Sequence, residues 1–300
     1  MIRRDFIRSS ALALGTLTVS HKNLFNTFFD DPWKITMLTD KIGIFTEKGG
    51  TIAFLLAKSG IVVVDSQFAE QSQHLIDELK KKNSTPFRLL INTHHHRDHT
   101  SGNISFKGIV GNVLAHENSL ANQKTVAIAQ KIEDVQLYPN QTFGTVWCDK
   151  DSHQEICLHY FGAAHTNGDA VIHFSDGNIA HMGDLMFNRM HPFVDRSAGA
   201  SMKSWIDVLD KTTKKFDRKT TYVFGHAAEG YQVTGTRDDL SAFGDYLGNI
   251  LQFVEGEIKA GKSKEELIKT TSLPFKTQWN GGEVQRPLSA AYEELTMTGK

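Results

Sequence analysis

The residues best suited to chemistry are concentrated in one short run, His94-His95-His96-Arg97-Asp98-His99, directly after an apolar stretch at 87–91. Imidazole nitrogens and carboxylate oxygens are the donors that zinc, iron and manganese accept, so metal binding is the chemistry this run points to. In an extended segment residues two apart project to the same side, and the His94 and His96 imidazoles can therefore meet one ion. Asp98 and His99 fall where the chain is expected to turn, at Thr100-Ser101-Gly102-Asn103, and could hold a second ion. A solvated loop that happens to be rich in histidine is the plain alternative. Three further donors weigh against it, because His165, Asp184 and His226 each follow an apolar, strand-like run with glycine close by. Loops at strand ends are where a rigid scaffold presents such ligands.

The elements that must position these donors are readable from the pattern. Runs at 35–38, 42–46, 51–57 and 61–64 are rich in β-branched and aromatic residues, with Lys48-Gly49-Gly50 and Lys58-Ser59-Gly60 as turns. A helical period of Leu75, Ile76 and Leu79 predicts a helix over 68–82. The strand at 87–91 delivers the histidine run, and a strand at 111–115 precedes a helix at about 117–131. The second half repeats the plan, with strands near 141–148, 155–161, 170–175 and 178–182, a helix at 202–216 and a strand at 222–224. Beyond His226 a long amphipathic helix is expected at 240–259, and Ser263 with Glu266 forms a capping-box start for another. Two sheet-and-helix halves meeting face to face make an αββα sandwich of the α/β class. No linker divides it, so residues 25–300 read as one domain that includes the C-terminal helices.

Composition excludes several alternatives. A chain of 300 residues with 40% hydrophobic content can bury a substantial core. Lysine plus arginine number 33 against 34 acidic residues, a net charge of −1, so no basic field argues for nucleic acid. There is no Gly-rich phosphate loop, dinucleotide fingerprint or Gly-x-Ser-x-Gly elbow.

The start of the chain stands apart: Arg3-Arg4-Asp5-Phe6-Ile7-Arg8 precedes a weakly hydrophobic stretch at 11–19, and residues 1–24 resemble a twin-arginine export signal. That stretch is well short of the ~20 residues that span a bilayer. An amphipathic first helix or an anchor is the alternative. The signal implies the twin-arginine export machinery as a transient partner, a periplasmic destination and no integral membrane span after its removal. Cys148 and Cys157 are the only cysteines; an oxidising compartment permits a disulfide between them, and two free thiols are equally compatible with the sequence.

The ordered series Asp65, His94-x-His96-x-Asp98-His99, His165, Asp184 and His226 resembles the metallo-β-lactamase superfamily, from about residue 60 to 226 and with compatible flanks. The resemblance implies that fold and two adjacent metal sites. His94, His96 and His165 would bind one ion, Asp98, His99 and His226 the other, and Asp184 would bridge them. Asp65 would buttress the histidine loop without binding metal. Two zinc ions are the expected cofactors, with iron or manganese open to the same donors. Two cations ~3.5–4 Å apart share a solvent molecule and lower its pKa towards ~7, giving a bridging hydroxide as nucleophile. Asp98 would orient it and pass its proton to the leaving group.

The implied function is an exported hydrolase of a small ester, thioester, lactone or amide. Asp184 resembles the glyoxalase II and lactonase branch, since β-lactamases usually carry cysteine or serine at that place. β-Lactamase activity is the second expectation. A mononuclear-iron persulfide dioxygenase using His94, His165 and Asp184, or a non-catalytic metal-binding module, are the others. Having both His96 and His99 departs from the flavodiiron pattern. Substrate specificity is expected from the segment 188–196, with Arg189, His191 and Arg196 at the cleft rim; Arg189 or Arg196 could clamp a substrate carboxylate, and the alternative is that these arginines simply pair with neighbouring acids on the surface. His95, His116, His159, His173 and His181 are expected to be structural.

Overall fold

The structure, a computed structural model, describes residues 32–297 apart from 152, 153 and 276. The expected export signal lies outside the described residues. β1 (Lys34–Met37), β2 (Ile42–Thr46), β3 (Ile52–Ala57) and β4 (Gly60–Val64) form an antiparallel meander. β5 (Phe87–Asn92), β6 (Val110–His116) and β7 (Gln141–Phe143) extend it in parallel to a 7-stranded sheet in order β1 to β7. Parallel neighbours need crossovers. Here they are α1 (Ala69–Lys82), then the short α2 (Arg97–Thr100) with a 3₁₀ segment, and α3 (Glu117–Gln130).

The second half builds another sheet from β8 (Val146–Asp151), β9 (Gln154–His159), β10 (Val171–Phe174) and β11 (Ile179–His181). The short β12 (Phe187–Asn188) and helix α4 (Met202–Lys215) follow, then β13 (Thr221–Val223), β14 (His226–Ala227) and β15 (Thr234–Gly235). The second sheet has six strands in order β15-β13-β11-β10-β9-β8, and only β11 and β13 run parallel in it. β12 and β14 pair separately. The chain ends with α5 (Arg237–Lys259), α6 (Lys264–Leu267) and α7 (Gln285–Thr296).

Period-two alternation gives each sheet two apolar faces. Leu55, Val62, Val64, Leu89 and Ile91 pack inward against Ile156, Leu158, Ile172 and Phe174 of the other sheet. Phe54, Ile61 and Val63 face outward onto Leu75, Ile76 and Leu79 of α1. On the far side, Val171, Ala180 and Tyr222 meet Trp205 and Leu209 of α4, Phe243 and Leu247 of α5, and Leu288 of α7. Each fully buried side chain of this size contributes ~1.5–3 kcal/mol. Helices therefore cover both outer faces of the paired sheets, the expected αββα sandwich.

Two local expectations change, and one helix was not expected. The single strand at 141–148 is two, because the bend at Gly144-Thr145 carries the chain from β7 in one sheet to β8 in the other. The turn expected at 100–103 is helical, with His96 as the extended N-cap residue of α2. Helix α7, with Pro287 in its first turn where a missing N–H costs nothing, carries no capping signal in the sequence. Register decides the cysteines: Cys148 and Cys157 face each other across β8 and β9, 4.2 Å apart at Cα, and form a disulfide. Among the described residues no helix is long and apolar enough to cross a membrane.

Candidate metal centre

The donors sit where strands end. Asp65 follows β4, the histidine run follows β5, His165 follows β9, Asp184 lies in a 3₁₀ turn after β11, and His226 opens β14 just beyond β13. Two glycines let these ends close on one another. A Cβ on Gly225 would lie 2.1 Å from Asp184 Oδ1, and one on Gly50 would lie 2.0 Å from His99 Cε1. Asp65 holds a left-handed φ of 66°, unusual for a non-glycine residue. Its buried carboxylate accepts from Thr93 N and Oγ1, both at 2.8 Å, and from His99 Nδ1 at 2.7 Å.

One cluster is formed by His94, His96 and His165. His96 Nδ1 lies 3.1 Å from His94 Nε2 and 2.8 Å from His165 Nε2. The outer nitrogens fix the tautomers. His165 Nδ1 faces the Phe193 carbonyl at 2.8 Å and His96 Nε2 faces Asp195 Oδ2 at 2.9 Å, and because those oxygens can only accept, these nitrogens carry the protons. Thr93 Oγ1 donates to Asp65 and so accepts from His94 Nδ1 at 3.0 Å. In the neutral rings the three remaining nitrogens point at one spot, an arrangement suited to a cation between them.

The second cluster is Asp98, His99 and His226. His226 Nε2 is 3.1 Å from Asp98 Oδ2 and 3.4 Å from His99 Nε2. Asp184 stands between the clusters and divides its oxygens. Oδ1 lies 3.0 Å from His99 Nε2 and 3.3 Å from His226 Nε2, while Oδ2 lies 3.4 Å from His165 Nε2 and 3.8 Å from His94 Nε2. A tetrahedral ion with bonds of ~2.0–2.1 Å sets its ligands ~3.3 Å apart, so these spacings suit one. Asp184 Oδ1 is also buried without a hydrogen bond of good geometry, which fits a donor meant for metal.

Electrostatics agree with that assignment. Burial, reinforced by neighbouring imidazoles, pushes His94 well down and His165 to about 3, keeping both neutral. Burial opposes the Asp184 and Asp98 carboxylates, yet His226 and His99 hold Asp184 far below the carboxylate range and take Asp98 to about 2. Against their own burial, Asp184 lifts His99 well up and His226 to about 9. Protons on His99 and His226 thus balance the carboxylates in the ion-free protein, and metal binding would release them.

The structure brings together Asp65 and all seven sequence-predicted donors. It does not bring Arg189, His191 or Arg196 to the cleft. Arg189 has a left-handed φ of 62° and lies over Trp279, 4.6 Å from the ring centroid, with Asp239 3.4 Å away. His191 Nδ1 meets the Tyr246 hydroxyl at 2.5 Å in a neighbouring pocket. Arg196 bonds the Ala200 carbonyl and pairs with Glu294 at 3.5 Å. From the segment 188–196 only Met190, Phe193 and Asp195 line the metal cleft, a space of about 550 Å³. Phe187 joins them, stacked 5.5 Å from His226, and Arg97 and Arg286 are the arginines facing the same space. Residues 187 and 286 carry no sequence signal, and Asp195 lay in the expected segment without a role. Four of the histidines expected to be structural lie outside the two donor clusters: His181 bonds the Thr51 carbonyl, His116 caps α3, and His159 and His173 lie on Phe216. His95 is buried, 3.5 Å from Asp195.

The family described as Metallo-beta-lactamase superfamily matches residues 47–226. The chain is 25% identical over 190 residues to Metallo-beta-lactamase IND-1 of Chryseobacterium indologenes, covering 61% of this chain and 75% of that one. A metallo-beta-lactamase structure from Pontibacter korlensis superposes with a TM-score of 0.61 at 20% identity, covering 72% of this chain and 99% of the other. The stereoselective inverting sec-alkylsulfatase Pisa1 from Pseudomonas sp. gives a TM-score of 0.69 at 15% identity, covering 87% of this chain and 50% of that one. At such identities the solved structures speak for the fold alone. The family match spans more than half of the sequence and takes in every donor of the two clusters: the chain belongs to the metallo-beta-lactamase superfamily.

Proposed function

We propose that this metal-dependent hydrolase holds two zinc ions and cleaves a small ester, thioester, lactone or amide in the periplasm after twin-arginine export. His94, His96 and His165 would hold one ion and Asp98, His99 and His226 the other. The observation that carries the dinuclear reading is Asp184, whose two carboxylate oxygens each face a different cluster. A bound pair of ions supplies Lewis acidity and acidified water. The side chains do the rest. Asp98 is 31% exposed at the cleft floor, where its carboxylate can orient water and carry a proton towards the leaving group. Asp65 keeps His99 Nε2 turned inward. Phe187, Met190 and Phe193 give the cleft an apolar wall against which the apolar part of a small substrate can pack.

A structural zinc site is closed and four-coordinate, whereas these donors open on a cleft large enough for a small molecule. A one-iron dioxygenase would leave Asp98, His99 and His226 without a ligand role. The disulfide across β8 and β9 is compatible with an oxidising compartment. Relatedness to IND-1 favours β-lactamase activity as the second reading. Turnover of the zinc-loaded protein on ester, thioester, lactone and amide substrates, set beside a chromogenic cephalosporin, decides between them. The proposal predicts that one of the first four classes is the better substrate, and a cephalosporin hydrolysed faster than all of them would overturn it.

A further inference from the structure

We infer that Asp195 is a positioning residue for the ion held by His94, His96 and His165, an inference that rests on the dinuclear reading above. The three imidazoles are not equally secured by packing. The His94 and His165 side chains are 1% and 0% exposed, but that of His96 is 17% exposed at the cleft wall. His96 is also the one of the three whose outer nitrogen meets an anion: Nε2 donates to Asp195 Oδ2 at 2.9 Å, while His94 and His165 donate to a hydroxyl and a backbone carbonyl. A carboxylate behind an imidazole fixes the ring's orientation and raises the basicity of its inward nitrogen. Asp195 is itself held in place. Its Oδ1 accepts from Ser197 Oγ at 2.5 Å and Ala198 N at 3.1 Å, and its backbone N–H donates to the His165 carbonyl at 3.1 Å. The second contact of Oδ2, His95 Nε2 at 3.5 Å, is longer and lies outside the three-imidazole cluster.

The test is zinc affinity, measured by competition with a chromophoric chelator on the full chain, for wild type, Asp195→Ala, Asp195→Asn and Ser197→Ala. The thermal midpoint of each ion-free protein is measured alongside. Asp195→Ala is expected to weaken one of two zinc sites by ~10–100-fold relative to the other, alongside a lower ion-free midpoint from the lost acceptor of Ala198 N–H. Asp195→Asn, which keeps an accepting oxygen, is expected to lose less. Ser197→Ala, which removes only the loop-side partner, is expected to bind both ions as wild type does. Unchanged affinity at both sites in Asp195→Ala overturns the inference while leaving the dinuclear reading intact. Equal weakening of both sites also overturns it, since that marks a purely structural role. A third zinc ion in wild type that is lost in Asp195→Ala would make Asp195 a ligand instead. A wild-type protein that binds no zinc sinks the dinuclear reading and this inference with it.

Discussion

Asp184 and Gly225 illustrate how tightly the centre is specified at the scale of single residues. The Asp184 carboxylate occupies the place a side chain at 225 would take, and Gly183 backbone atoms lie 2.8 Å from it. Gly225→Ala must therefore displace either the strand end or the carboxylate between the clusters. The expected outcome is loss of at least one bound ion and a drop in kcat/KM of ~100-fold or more, by analogy with loss of a ligand's support, checked by metal content and steady-state kinetics. The seven candidate donors were legible at this scale, because five histidines and two aspartates in this fixed order have few bland readings. Their supports were only partly legible. Asp65 came with the resemblance, but Asp195 lies 99 positions from His96, and nothing local marks that pairing.

Elements position these residues through strand ends, and the helices on the outer face must stay docked for those ends to hold. Glu294 of α7 is the clearest tie. Buried to 5% exposure, it accepts from Ser201 Oγ at 2.8 Å, Met202 N at 2.7 Å and Lys203 N at 3.1 Å, capping the N-terminus of α4 from another helix. Glu294→Ala leaves those donors unpaired and is expected to cost ~1–3 kcal/mol, read as a lower urea midpoint of the ion-free protein. The helices at 69–82, 117–130 and 202–215 were all expected within a residue or so, the first from the period of Leu75, Ile76 and Leu79. Helix α7 was not, since Pro287 and the absence of a cap hide its start, and its partner on α4 is remote in sequence. Nor could periodicity show that 141–148 changes sheets, because an apolar alternation says nothing of which neighbour a strand will choose.

For the whole molecule, the layer order followed from two successive sheet-and-helix halves, and the family resemblance implied the same fold. What the sequence left open, the cysteine pair and the true lining of the cleft, depends on register and on loop path. Stability should carry a signature of the histidines buried away from the metal centre. Burial, with Lys215 nearby, takes His159 down to about 4, and burial lowers His173 as well. The unfolded chain binds these protons near pH ~6.5 and the folded one only at lower pH, so stability is full above that value and is lost as pH falls towards 4. The urea midpoint of chelator-treated protein is expected to fall across that window, and less steeply in His159→Gln; identical slopes would contradict the burial argument.

The proposed pair of ions would be shared through one carboxylate, that of Asp184. Elemental analysis of the purified full chain tests it most directly, for wild type and Asp184→Ala, with hydrolysis measured on the same samples. Two ions per chain are expected in wild type, at most one in the variant, and hydrolysis that disappears with the loss. One ion per chain in wild type, or undiminished hydrolysis in Asp184→Ala, would contradict it.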